Sequence, residues 1–158
     1  MLSFQDAITR ASDLPVSRLL PDFLRSCNLG SVSIISASAG SGKTTLIPLA
    51  CAELLEPQQR VLVCSPRRVS ARSCARRLAQ LLDDRVGHLV GFSVRGQSER
   101  STSTRIEFVT PGVLTRMIHS DPELQGIGCV ILDEFHERAV DSDLACAFLS
   151  DIREVLRE

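Results

Sequence analysis

The chain has no Trp and no Tyr, and six Phe among 158 residues. Base stacking on aromatic platforms of the RRM kind therefore has little to build on. Lysine is nearly absent as well. Of 18 basic residues, 17 are Arg, and the one Lys is Lys43. The net charge is −1 and the pI about 6.3, so no global basic field announces nucleic acid and any such surface has to be local. No apolar run approaches the length that spans a bilayer, which points away from a membrane. The N-terminal MLSFQDAITRASDLP has no basic stretch followed by an apolar one, so no secretory signal is visible. Six Cys (27, 51, 64, 74, 129 and 146) include no CxxC pair. They read as small buried hydrophobes of a reducing, cytoplasmic compartment, not as a disulfide or zinc framework.

What is present is 44% apolar and 23% charged residues, the composition of one globular domain large enough for a sizeable core. The chain is organised around SIISASAGSGKTT, Ser33 to Thr45. An apolar run with Val32, Ile34 and Ile35 reads as a strand anchoring a loop of small residues. Gly40 and Gly42, with Ser38, Ala39 and Ser41, let the backbone curl so that N–H groups face an anion. A helix opening at Lys43, Thr44 and Thr45 adds the positive end of its dipole. Lys43 would reach the β- and γ-phosphates of a nucleotide, and the Thr44 hydroxyl would hold Mg²⁺. The pattern is GxxxxGK[ST] with Ala37 at its first position, a mild change where φ is ordinary and a costly one where φ is positive. A Lys kept in a chain that otherwise uses Arg fits a site wanting a compact charge on a flexible stem.

The remaining chain alternates strands and helices. Residues 1–30 form a lead-in, with a short helix after Leu14-Pro15 capped by Ser17. Val32–Ala37 is the expected first core strand. In the helix after the loop, Pro48 is expected to cause a kink or a late start. RVLVCS (60–65) is a strand buried on both faces, and residues 69–82 a helix. Residues 86–94 and 105–110 read as strands, 97–104 as a surface loop and 111–119 as a helix. GCVIL (128–132) is a buried strand, and Asp141 can cap the last helix. This order predicts a three-layer α/β domain over 31–158 with a mainly parallel sheet.

That last strand runs into Asp133-Glu134. Asp133 at a strand's carboxyl end can join Thr44 in the Mg²⁺ shell, partly through water. Glu134 can orient and deprotonate the attacking water. Both motifs would face the crevice at the carboxyl ends of the strands.

VILDEFHERAVDSDL resembles motif II of the DEAH-box helicases of superfamily 2, and is similar to the bacterial HrpB-like branch in reading Asp-Glu-Phe-His. ASAGSGKTTLIP resembles motif I, including Pro48 and the initial Ala. SPRRVSARSCARRLA resembles motif Ia, VGFSVRGQS a segment placed near nucleic acid, and TPGVLTRM motif Ib. The match covers about residues 14 to 150. The resemblance implies the first RecA-like domain of an ATP-dependent RNA helicase, using ATP with Mg²⁺. It implies that His136 couples the nucleotide site to a second domain and that Arg77 stacks on adenine. It further implies that Arg67, Arg68, Arg95, Thr110 and Gly112 meet phosphates and sugars of nucleic acid, RNA by family, without reading bases.

The chain stops at Glu158 without the family's Ser-Ala-Thr motif III or the motifs of a second RecA-like domain. The expectation is a C-terminally truncated helicase half, weakly active or inactive alone. Arginine fingers worth about 10³–10⁵-fold would come from elsewhere, a second RecA-like domain in trans included. A sheet edge or a helix face left uncovered, and with it poor stability or self-association, is expected. The competing readings are a non-catalytic nucleotide- or RNA-binding module, and another phosphate-loop class. No Asn-Lys-x-Asp or Leu-Ser-Gly-Gly-Gln supports the latter.

Overall fold

The computed structural model describes residues 2–28, 30–137 and 139–155, so the last three positions of the expected domain lie outside the described residues. Its elements are α1 (Phe4–Arg10), α2 (Leu20–Ser26), α3 (Lys43–Leu54), β1 (Arg60–Cys64), α4 (Arg68–Leu81), β2 (Val90–Val94), β3 (Gln97–Glu99), β4 (Ile106–Val109), α5 (Pro111–Ser120), β5 (Ile127–Leu132) and α6 (Val140–Val155). The strands form one sheet in the order β3-β2-β4-β1-β5. All pairings are parallel except β2 with β3.

Period-2 alternation splits the strand residues between two cores. Val61, Val63, Ile106, Phe108, Val90 and Phe92 face α1, α3 and α4. Leu62, Cys64, Val109 and Ile127 face α5 and α6. The result is the three-layer α/β arrangement that the alternation predicts. Helix α3 is buried without a break from Leu46 to Ala52, because α1 covers its outer side and the sheet its inner side. Pro48 sits inside this helix, which begins at Lys43 without delay. The missing proline N–H leaves the Thr44 carbonyl without its usual partner four residues on.

The lead-in belongs to the same core. A capping box between Ser3 and Asp6 opens α1, an element not anticipated above. Ala7, Ala11, Val16 and Leu20 join the core on the α3 side. Residues 15–19 form a 3-10 turn before α2, and Ser17 bonds back to the Ser12 carbonyl and caps nothing. Asp141 likewise lies inside the first turn of α6, whose leading amides bond the Ala139 carbonyl.

Two strand expectations need correction. Residues 97–99 pair with β2 across a two-residue Arg95-Gly96 turn, with Gly96 at φ +83° supplying the conformation such hairpins need. Residues 31–38 form no ladder. Ile35 packs on the core, while Val32 is 70% and Ile34 94% exposed. The β-branched pattern is that of a strand, but a strand also needs a neighbour. Among the described residues β5 is the last strand of the sheet, with no strand paired on its outer edge.

An edge strand and exposed apolar residues are each openings for self-association. Ile34→Lys is expected to reduce dimers and aggregates seen by sedimentation velocity. Stability should stay within about 0.5 kcal/mol, because the side chain has no packing to lose. A wild-type chain that stays monomeric at high concentration would sink this expectation.

Candidate functional site

Because β1, β2, β4 and β5 are parallel, their carboxyl ends share one edge of the sheet. Several candidate residues follow those ends directly. Arg95 follows β2, Thr110 and Gly112 follow β4, Arg67 and Arg68 follow β1, and Asp133 to His136 follow β5.

At the β5 end the loop and the strand meet. The Thr44 hydroxyl donates to Asp133 Oδ2 at 2.8 Å, across 89 positions of sequence. Asp133 Oδ1 accepts the Glu134 N–H at 3.0 Å, and the Asp133 N–H bonds the Cys64 carbonyl at 2.9 Å, which extends the ladder to the site. Two oxygens so close could form part of a donor set for a hard divalent cation. Glu134 has φ +52°, left-handed backbone that costs a non-glycine residue about 1–2 kcal/mol. Such strain is retained where the surroundings impose it, commonly at functional sites. Its carboxylate lies 3.4 Å from His136 Nε2.

The loop curls as its glycines suggest, with Gly40 at φ +74° and Gly42 at φ +94°. Among the described residues the non-glycine positions at positive φ are Asp83, Leu124 and Glu134. Ala37 is not among them, so its Cβ meets no conformational penalty. Lys43 donates to the carbonyls of Ala37 at 2.5 Å and Ser38 at 2.9 Å, and the loop wraps its own ammonium. Ala39 and Gly40 are exposed, Thr44 and Thr45 half-buried, and Ser41 buried.

Helix α4 flanks the site. The Cys74 thiol is raised by burial and by the charges of Asp133 and Glu134, against Arg77; exposed Arg77 is thus on the helix beside the carboxylates. Cys64, at the end of β1, is pushed up to about 12 by burial and by Asp133. Cys51 is raised by its hydrogen bond with Cys129 and by burial. All six cysteines are free thiols. At pH 8 Cys51 and Cys64 are expected to resist iodoacetamide until the fold opens, since the thiolate is the reacting form. Modification at a small-thiol rate in the native chain, followed by mass spectrometry, would contradict this.

The Arg67 guanidinium meets Glu137 Oε1 at 3.0 Å, a pair that sequence reasoning missed because neither residue type marks it. Arg68 and Arg95 are exposed, Thr110 is the N-cap of α5, and Gly112 lies exposed in its first turn. A cavity of about 600 Å³ near the start of β1, lined by Arg60, Arg100 and Arg105 among others, holds none of the candidate residues. Its guanidiniums already serve Glu107 and four backbone carbonyls. Among the described residues no helix is long and apolar enough to cross a membrane.

A profile of the DEAD/DEAH box helicases matches residues 19–158. The chain is 45% identical over 147 residues to the ATP-dependent RNA helicase HrpB of Escherichia coli, covering 93% of this chain and 18% of that protein. It is 38% identical over 154 residues to the putative ATP-dependent RNA helicase DHX57 of Homo sapiens, covering 94% and 11%. The crystal structure of the E. coli DEAH/RHA helicase HrpB superposes with a TM-score of 0.83 at 46% identity, over 92% of this chain and 18% of that one. The chain thus spans less than a fifth of the length of these relatives.

Proposed function

The chain belongs to the DEAD/DEAH box helicase family, and from that premise we propose that it is the ATP-binding half of an ATP-dependent RNA helicase, coupling ATP hydrolysis to nucleic-acid binding and unwinding in a longer assembly. The observation that carries the reading is the 2.8 Å contact between Thr44 and Asp133. It unites a phosphate-loop hydroxyl with a strand-end carboxylate where the chemistry needs them.

The amides of Ala39 to Thr45 and the Lys43 ammonium receive the phosphates. Thr44 and Asp133 would hold Mg²⁺, partly through water, and the ion would supply charge neutralisation to the phosphates. Glu134 orients the attacking water and accepts its proton. His136, 3.4 Å from that carboxylate, links the hydrolytic group to a second domain. Arg77 packs against adenine. The work is positioning and charge stabilisation on rigid strand ends.

Arg67, Arg68, Arg95, Thr110 and Gly112 form the nucleic-acid face along β1, β4 and β2. They contact phosphate and sugar, so affinity is independent of sequence. Glu137 already holds Arg67, and a phosphate has to compete for it. Arg67→Ala is expected to weaken single-stranded RNA binding alike across sequences and to reduce the salt slope by about 1. Unequal losses on different sequences would contradict it.

The test is titration of a fluorescent ATP analogue with Mg²⁺ against the chain and its Lys43→Ala variant. Binding that falls by about 100-fold or more in the variant, the loss of a charge-assisted contact of about 3 kcal/mol, supports the reading. Equal binding by both overturns it.

A further inference from the structure

The phosphate loop is held unevenly, its upstream carbonyls at Ala37 and Ser38 tied to the Lys43 ammonium. Its upstream flank, residues 31–38, is in no ladder. On the other side the lead-in presses directly on it. The Val16 N–H donates to the Ser41 carbonyl at 2.9 Å, and Val16 is fully buried. Leu14 lies against Gly42, so closely that a Cβ there would stand 2.7 Å from Leu14 Cδ1. Ser41 itself is 3% exposed and its hydroxyl has no partner among the described residues. Its backbone is what fixes it.

The peptide group is planar and trans, so the Ser41 carbonyl and the Gly42 N–H share one plane and point in opposite directions. Pinning the carbonyl toward the lead-in aims the Gly42 N–H away from it. Gly42 alone, at φ +94°, has several conformations open to it. The Val16 bond and the Leu14 side chain remove that freedom before a ligand arrives. The turn is itself rigid: Pro15 fixes its φ, and Leu14 and Ser17 close it with bonds to Ala11 and from Ser17 to Leu14. Its position comes from α1 packed on α3.

We propose that the Leu14–Val16 turn is a brace for the phosphate loop, with the Val16 N–H and the Leu14 side chain as positioning groups that set the amides for an anion. The inference rests on the reading that this loop takes the phosphates of ATP. Its value lies in preorganisation: amides already aimed need no ordering on binding.

The decisive variant replaces the Val16 amide by an ester, which removes the N–H and keeps the side chain. Leu14→Ala is the encoded counterpart, and Leu20→Ala, a truncation in the same core, is the control. Two readouts are taken: affinity for the fluorescent ATP analogue with Mg²⁺, and hydrogen exchange at the bonded loop amides of Ser41, Thr45 and Leu46 without nucleotide. The ester and Leu14→Ala are expected to bind about tenfold more weakly and to exchange those amides faster. Leu20→Ala should lower the unfolding midpoint without changing either loop readout.

Wild-type affinity and wild-type loop exchange in the ester variant overturn the brace. Equal loop effects in Leu20→Ala overturn it too, since general destabilisation would then be the cause. A wild-type chain that binds no ATP analogue sinks the nucleotide reading instead, and the exchange measurement still decides whether the turn sets the loop.

Discussion

Replacing Arg60 by Leu is expected to lower the stability of the fold by about 3 kcal/mol, the size of effect seen when one partner of a buried pair is removed. Glu107 lies in the interior of β4 and is 1% exposed. Arg60 donates to its Oε2 at 2.9 Å, Ser93 Oγ donates to Oε1 at 2.6 Å, and Arg100 Nε stands 3.5 Å from Oε1. Arg60 is the partner of Oε2, and its own side chain is only 24% exposed. Without it a buried carboxylate keeps one oxygen unpaired in a medium that penalises charge. The pair as a whole is a weaker contributor, because its desolvation offsets much of its attraction. Arg60→Leu with Glu107→Leu should therefore recover most of the loss. Urea unfolding of both single variants and the double variant measures the coupling. A cost under 1 kcal/mol for Arg60→Leu, or no recovery in the double variant, would refute the argument. Nucleotide affinity should not follow these changes, because the pair sits apart from the carboxyl-end site.

The parts of the fold legible in sequence are those whose surroundings act on every residue alike. Strands β1 and β5 are covered by helices or neighbouring strands, so they read as apolar runs, and β4 does so apart from Glu107. Helices α4 and α5 show one apolar face. What failed is pairing, a tertiary event. Val32 to Ala37 has the composition of a core strand and no strand beside it. Gln97 to Glu99 is polar and still a strand, because a two-residue turn folds it onto β2. Helix α1 did carry a signal, Ser3 and Asp6 at capping spacing, within a stretch otherwise read as lead-in.

The site divides the same way. Lys43, Thr44, Asp133 and Glu134 stand out because the proposed phosphate chemistry would call for those residue types at those spacings. Leu14, Val16 and Glu137 do not. A backbone N–H can come from any residue but proline, and an ion pair across 70 positions leaves no local pattern. The strain at Glu134 is invisible as well, since nothing in its type favours positive φ.

Asp133→Asn is expected to uncouple nucleotide binding from Mg²⁺. In the wild type, chelating the ion should weaken the ATP analogue by about 10–100-fold, comparable to what losing an outer-shell partner costs a metal site. In the variant, chelation should change little. Asn keeps the volume of Asp and one acceptor oxygen, so the Thr44 hydroxyl or the Glu134 N–H still finds a partner. What goes is the negative charge and one of the two acceptors that now serve them at 2.8 and 3.0 Å. The fold should persist, because the Asp133 backbone N–H, not its side chain, continues the ladder to Cys64. A variant with normal Mg²⁺ dependence would move the ion away from this carboxylate. Loss of the analogue with and without Mg²⁺ alike would make Asp133 a brace for Thr44 instead of a ligand. Only selective loss of the Mg²⁺ effect fits a carboxylate that holds the cation, and the contact between Thr44 and Asp133 is then one edge of the cation's site.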